Sequence, residues 1–461
     1  MALKLQNTLT REKEEFRPFD SEGKKVGFYG CGPTVYWFQH IGNMRRYVFE
    51  DILYRTLVFN GYEVEHVINV TDVGHLTSDE DTGEDKVEKA AKKEGRTAKE
   101  IADHYFNAFK EDLEKLNVKE PDKWPRASEH IQDQIDMIKT LEEKEYTYQT
   151  SDGVYFDTSK LEDYGKMANL NAEELEGGKR VDIGEKRNKT DFALWKFSEK
   201  PGERMQEWES PWGIGYPGWH IECSVMSSKY LGKQFDIHTG GMDHIQVHHT
   251  NEIAQSEATY DIKPWVSYWL HSGFMNFEGE KISKSTGGLY TLSDLSEKGY
   301  DPMEYRYLAL MTHYRKPLVF SFQNLNDAKN AYKRLKRRIH EFQGDEKTNQ
   351  EYLEKFTEAV NDDLNIPEAL QVLWKLVRDE NAEGKLKTIE KMDEVLGLNL
   401  LEPLDEQAEI PEQIQKLVEL REKARKEKDF EKADKIRDEV KAQGYTIEDS
   451  KEGPIVKEDK E

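Results

Sequence analysis

Apolar and polar positions alternate along the chain in a way that predicts its elements in order. KKVGFYGC (24–31) is a short apolar run closing on a glycine, the pattern of a strand entering a turn. Residues 44–60 carry apolar side chains at helical spacing and stop at Asn60-Gly61, a turn signal. YEVEHVINV (62–70) alternates as a strand does. Strand, helix, strand in that order predicts a parallel α/β unit. Residues 85–116 read as one charged amphipathic helix. Between 117 and 215 the periodicity gives way to turn residues and short apolar runs, which predicts an insertion between two halves of one α/β domain. The second half spans 216–270, with a helix over 219–231, a strand at 235–238 and a helix over 246–259. A junction region follows at 271–320. From about 320 the spacing is helical, over 322–342 and 350–397, and residues 411–443 form a charged helical pair broken near Asp429-Phe430. The organisation expected is therefore 1–116 and 216–270 as two halves of an α/β domain, 117–215 inserted, 271–320 as junction, 321–402 as a helical bundle, and 403–461 as a helical hairpin with a polar, mobile tail.

A chain of 461 residues suits about two to four domains. Its 36% hydrophobic and 11% aromatic content supports sizeable cores and excludes wholesale disorder. The net charge of -24 suggests at first that phosphate-bearing partners are unwelcome. Total charge is not surface charge, however, and basic residues can gather on one face. Lys333, Arg334, Lys336, Arg337 and Arg338 are such a group, within the run from Lys329 to Arg338. A salt-adapted protein is another source of acidity, against which the many lysines speak. No apolar run has signal-peptide length, and none approaches the ~20 residues of a membrane span. A soluble, cytoplasmic protein with no membrane partner is expected.

Two pieces of sequence suit phosphate chemistry. His40-Ile41-Gly42-Asn43 lies between the first strand and a helix. A helix N-terminus offers unpaired N–H groups and partial positive charge, Gly42 permits close backbone approach, and His40 and Asn43 can donate to phosphate oxygens. Four residues alone better suit an ordinary loop–helix junction. Lys281-Ile282-Ser283-Lys284-Ser285, flanked by Gly279, Gly287 and Gly288, suits a clamp on triphosphate, though a solvated lysine loop would look the same. The only two cysteines, Cys31 and Cys223, could be a disulfide, buried thiols or metal ligands. His248 and Glu252, four apart, share a helical face. Two thiols, an imidazole and a carboxylate make a plausible zinc set, because thiolate donors favour zinc over magnesium or calcium.

Taken together, the two phosphate motifs resemble the paired HIGH and KMSKS signatures of class I aminoacyl-tRNA synthetases, with Asn43 in place of a histidine and Ile282 in place of methionine. The stretches GCGPTVYWFQHIGNMR (30–45), NVTDVG (69–74), SPWGIGYPGWHIECSVM (210–226) and FDIHTGGMDHIQVHHTNEIAQS (235–256), with the KISKS loop and the opening NTLTREKEEF, resemble the cysteinyl-tRNA synthetase family. The resemblance implies a Rossmann-like α/β catalytic domain with an insertion, followed by an α-helical anticodon-binding region. It implies Cys31, Cys223, His248 and Glu252 as zinc ligands. His40, Asn43, Lys281 and Lys284 would act in catalysis, and Gly32, Pro33, Thr34, His40, Gly42, Asn43 and Lys284 would hold ATP. Thr71, Trp219, His220, His238, Gly241 and Asp243 would bind substrate, with His238 foremost and His249 as a further pocket histidine.

The activity implied is formation of cysteinyl adenylate from L-cysteine and ATP, with Mg2+, and transfer of cysteine to tRNA(Cys), by a monomer with one Zn2+ per chain. Thiolate ligation would reject serine where shape discriminates by only ~1–3 kcal/mol. Several positions depart from the family pattern: His244 and Gln246 stand where Leu and an aromatic are usual, Thr250 where Glu is, and Tyr216 where Arg is common. His244 is expected beside the metal ligands or in the pocket wall. Asn361 to Ala369 resembles the family's anticodon-binding bundle, and Arg425 to Lys441 its final hairpin. The chain ends IEDSKEGPIVKEDKE, without the Trp found near basic residues in many bacterial members. Two other functions share the front half. One is a ligase joining cysteine to a small amino-sugar acceptor, which needs no long helical C-terminal region. The other is a non-catalytic tRNA-binding paralogue, which needs no intact ligands and lysines.

Overall fold

The computed structural model describes residues 2–73, 85–169, 185–278, 289–344, 347–403, 412–427, 429–450 and 453–458. It comprises two compact units, Met1–Leu401 and Glu402–Glu461.

The first unit is built on a four-stranded parallel sheet. Its order is Val266–Ser272, Phe235–Gly241, Lys25–Gly30, Glu63–Ile68. The strand Lys25–Gly30 is therefore internal. The next strand in sequence lies on one side of it and the third on the other. Such a reversal opens a crevice at the carboxyl ends of the strands, the usual ligand position in open α/β sheets. The helix Ile41–Phe59 buries Ile41, Met44, Val48 and Ile52 and starts at that end. The helix Trp219–Leu231 packs on both Lys25–Gly30 and Glu63–Ile68, and against the helix His248–Tyr260.

Where one helix is expected over 85–116, there are two. Gly95, at φ +66°, ends Lys86–Glu94 in the left-handed region, and Thr97 with Glu100 forms a reciprocal cap that starts Ala98–Lys115. The region expected to be irregular contains the helix Ile131–Glu143 and an antiparallel sheet, Thr147–Gln149, Gly153–Phe156, Phe192–Phe197 and Gly215–Pro217. This sheet runs directly into the helix Trp219–Leu231 through Gly218. A Cβ there would meet Ala193 O at 2.0 Å, so only glycine lets the two elements join so tightly.

After the parallel sheet, Met275–Phe277 pairs with Leu318–Phe320, and four helices follow: Phe322–His340, Gln350–Asn361, Ile366–Arg378 and Lys385–Leu396. Their core includes Leu325, Leu335, Phe356, Leu373 and Ile389. A buried charged knot joins them to the α/β part. Arg306, fully buried, donates to Asp51 Oδ2 (2.6 Å), Leu116 O (2.9 Å) and Leu396 O (2.8 and 3.0 Å). Arg55 donates to the same Asp51 oxygen at 2.8 Å, and to Asn117 O and Glu394 O. The basic group near 333–338 is not one face. Lys336 is buried, Lys333 faces Glu304 at 3.8 Å, and Arg334 lies over the Trp374 ring.

In the second unit the stretch expected as a polar tail carries a strand. Helices Glu412–Lys426 and Phe430–Ala442 are followed by an antiparallel hairpin, Tyr445–Ser450 with Gly453–Glu458. Tyr445, Ile447 and Val456 pack against Ile414, Ile436 and Val440. Three apolar side chains spaced along a polar tail suffice for a hairpin that has two helices to cover. No helix among the described residues is long and apolar enough to cross a membrane.

Candidate active site

The crevice at the carboxyl ends of the strands holds a cavity of about 730 Å³, within the range that small-molecule sites occupy. Its wall includes Cys31, Gly32, Pro33, Thr34, His40, Gly42, Asn43, Thr71, Trp219, Cys223, Gly241, Asp243, His244 and His248.

Backbone proximity shapes one end. Gly32 N donates to Asn69 Oδ1 at 2.7 Å, and a Cβ on Gly32 would sit 1.4 Å from Asn69 O. Thr34 and Thr71 form a bridge between the two strand ends, with Thr71 N donating to Pro33 O at 3.0 Å. His40 caps the helix Ile41–Phe59: its Nδ1 accepts from Asn43 N at 3.2 Å. Burial lowers the His40 pKa, so the ring is neutral, with its proton on Nε2 as a remaining donor. A Cβ on Gly42 would meet that ring at 2.9 Å. Asn43 Nδ2 donates to Gln39 Oε1. Lys281 and Lys284 lie outside the described residues; Phe277 and Leu289, on either side of them, both line the cavity.

The other end gathers the two cysteines with His248 and Glu252. One donor atom from each lies within 4.8 Å of all the others, and all four residues are buried. Neither cysteine is in a disulfide. Glu252 Oε1 has no hydrogen-bond partner, although His248 Nε2 is only 2.9 Å away. A buried carboxylate oxygen without a hydrogen bond, facing two thiols and an imidazole, is the arrangement a bound divalent cation satisfies. A second overlapping set, Cys31, His238, His249 and Glu252, meets the same distance test. Its nitrogens are already engaged: His238 Nε2 with Glu252 Oε2 (2.8 Å), His249 Nε2 with Cys31 Sγ (3.1 Å) and His249 Nδ1 with His271 Nε2 (2.7 Å). The first set, with both thiols, is the better metal cage.

The electrostatics agree. The hydrogen bond to Cys31 and burial push the Cys223 thiol well up, and burial raises Cys31. Without a cation both stay protonated, so metal capture must release their protons. Burial opposes charge on Glu252, but His238 and His248 outweigh it and hold its pKa at about 2. Burial likewise opposes charge on His248, and Glu252 pushes it up to about 10.

The structure moves two expected contact residues out of the wall. His220 is buried with its Nδ1 2.9 Å from His248 Nδ1. His238 is buried against Glu252, and its ring stacks on Trp269 at 4.5 Å. Both touch residues of the four-donor cluster, and neither lines the cavity. Burial is the reason: His220 fills the space beside His248, and His238 the space beside Glu252. Trp219 stacks on His248 at 4.3 Å and reaches the wall, as do Asp243, Gly241 and His244. Sequence reading missed His271 and Thr8, which continue the chain from His249 (His271 Nδ1 to Thr8 Oγ1, 2.8 Å). Nothing in their spacing could have signalled it. It also missed Arg45, which donates to the carbonyls of Gly273, Phe274 and Lys316 and so fixes the backbone leading away from the sheet. Replacing His220 by Phe should lower metal affinity by about 10–100-fold while leaving the fold intact, read by metal content after graded chelation.

Residues 18–330 match the family of class I (C) tRNA synthetase catalytic domains, 355–401 the DALR domain, and 407–453 the cysteinyl-tRNA ligase anticodon-binding domain. The chain is 48% identical over 455 residues to cysteine–tRNA ligase 1 of Burkholderia lata, covering 98% of this chain and 96% of that one. It is 44% identical to the cysteine–tRNA ligase of Treponema denticola (97% and 98% covered) and 44% identical to that of Thermococcus gammatolerans (99% and 99%). Among solved structures, Mycobacterium tuberculosis methionyl-tRNA synthetase in complex with methionyl-adenylate shares the fold at a TM-score of 0.57 and 16% identity, over 81% of this chain and 90% of that one. With catalytic, DALR and anticodon-binding matches in order along one chain, and relatives aligned nearly end to end, the chain belongs to the cysteinyl-tRNA synthetase family of class I aminoacyl-tRNA synthetases.

Proposed function

We propose that the protein activates L-cysteine with ATP and Mg2+ and transfers it to tRNA(Cys), selecting cysteine through Zn2+ held by Cys31, Cys223, His248 and Glu252. The observation that carries the zinc reading is the buried four-donor cage opening on the cavity whose other end carries the helix cap at His40. When bound, zinc would supply a soft Lewis acid that takes a thiolate and leaves a serine hydroxyl neutral. Gly32, Pro33 and Thr34 shape the bed for the nucleotide, and His40, Gly42 and Asn43 present donors to its phosphates at a helix N-terminus. The cysteine carboxylate attacks the α-phosphorus, and pyrophosphate leaves with the pair of electrons of the broken P–O bond. Lys281 and Lys284 offset the charge that grows on the departing phosphates. Thr71, Trp219, Gly241 and Asp243 wall the amino acid. His220 and His238 act through the ligands they hold.

On this reading 1–116 and 216–270 are the two halves of the nucleotide-binding domain, 117–215 the insertion, 271–320 the loop-bearing junction, and 321–402 with 403–461 the tRNA-reading part. The test is pyrophosphate exchange with cysteine against serine, followed by charging of tRNA(Cys). Exchange specific to cysteine, and charging, are expected. Exchange without charging would favour a small acceptor. Lys284→Ala should lower exchange by about 10²–10³-fold with metal content unchanged.

A further inference from the structure

Several exposed apolar side chains line the catalytic cavity, and two of them form a step with their neighbours. Trp37 and Phe38 are 48% and 42% exposed. Both follow Tyr36, which also lines the cavity. Trp37 packs on Tyr105 at 5.5 Å, and Phe38 packs on Tyr105 at 5.0 Å and His104 at 6.0 Å, all on the helix Ala98–Lys115. The step is thus held from behind, while Trp37 and Phe38 keep much of their surface open to solvent. It is also locally basic in a chain of net charge -24. Lys93 Nζ lies 5.5 Å from the Trp37 ring and Lys86 Nζ 5.8 Å from the Tyr36 ring. The nearby carboxylate of Glu94 accepts from Tyr105 Oη at 2.6 Å and pairs with Arg96.

Exposed aromatic faces beside lysines, on the wall of an active site, have one fitting occupant in a tRNA ligase. We propose that Tyr36, Trp37 and Phe38 form a stacking ledge for the unpaired 3′ end of the tRNA as it enters the cavity. The inference rests on the reading of the protein as a tRNA ligase. Stacking on aromatic side chains holds single-stranded bases without reading their sequence, and nearby lysines take the backbone charge. A base-paired stem could not offer its faces in this way. The nucleotide that must reach the adenylate is single-stranded and terminal, so the ledge orients it during transfer and has no part in activation.

The experiment compares the wild type with Trp37→Ala/Phe38→Ala and with Trp37→Phe. Cysteine-dependent pyrophosphate exchange, charging of tRNA(Cys), and binding of intact tRNA against tRNA trimmed of its 3′-terminal nucleotides are measured on the full chain. In the double variant, exchange is expected within about twofold of wild type and charging kcat/KM at least about tenfold lower. Intact and trimmed tRNA should then bind alike, and Trp37→Phe should restore most of the loss. Charging that stays at the wild-type level, or exchange that falls in step with charging, would overturn the ledge. A wild type that exchanges but charges no tRNA(Cys) would instead overturn the ligase reading, and the ledge with it.

Discussion

Cys223→Ser is expected to abolish bound metal and to lower cysteine-dependent exchange by at least about a hundredfold, leaving the circular-dichroism spectrum unchanged. A thiolate exchanged for a hydroxyl loses the charge that a thiolate-preferring cation requires. His238 and His249 point their nitrogens at Glu252, Cys31 and His271. Cys223 sits on the helix Trp219–Leu231 at a fully buried position, where a serine adds only a small polar group and the fold should survive. Metal content by atomic absorption and exchange on the same sample decide the matter. A variant that retains one metal per chain, or that loses the metal but keeps its rate, would refute the proposed cage. The metal-free thiols are protonated, so capture should also weaken steadily as pH falls, because a bound cation must displace the thiol protons against a rising proton activity.

Arg306→Ala is expected to be strongly destabilising, costing about 3–5 kcal/mol, because it leaves a buried carboxylate short of a partner and two backbone oxygens without their donor. Asp51 shares its Oδ2 between Arg306 and Arg55, and its Oδ1 accepts from Lys119 N at 2.8 Å. The arginine ties the helix behind His40 to Leu396, at the end of the helical bundle. The loss should show as a lower urea midpoint. Removing both charges, in Asp51→Asn/Arg306→Met, should recover a good part of it. If the double variant is no better than Arg306→Ala alone, the charge pair is not what holds these elements together.

The helix Trp219–Leu231 was legible in the sequence because Gly218 and Gly232 punctuate it on both sides. Strand Phe235–Gly241 was legible at its start but not its length, and Val266–Ser272 was not separated from its surroundings. Both strands are buried nearly throughout, so neither shows the alternation that marks a half-exposed strand. The antiparallel sheet of the insertion was hidden for another reason: its strands are short, and they pair around turns whose residues dominate the composition. The donor set Cys31, Cys223, His248 and Glu252 rested on residue type and family likeness. The positions of His220 and His238 behind it did not follow, because spacing shows which residues share a helix face but not which nitrogen is already occupied.

The sheet order also sets a timetable for synthesis. Cys31 lies at the end of the central strand and is made early, while Cys223, His248 and Glu252 follow the whole insertion. Cys31 N donates to Thr239 O, so even the backbone around the first ligand waits for a strand from the second half. A nascent chain halted before residue 223 carries one thiol and none of the other three donors. The complete cage therefore exists only after translation has passed Glu252 and the third strand has slotted beside the first, so a tightly held metal ion would certify that both halves of the domain have met.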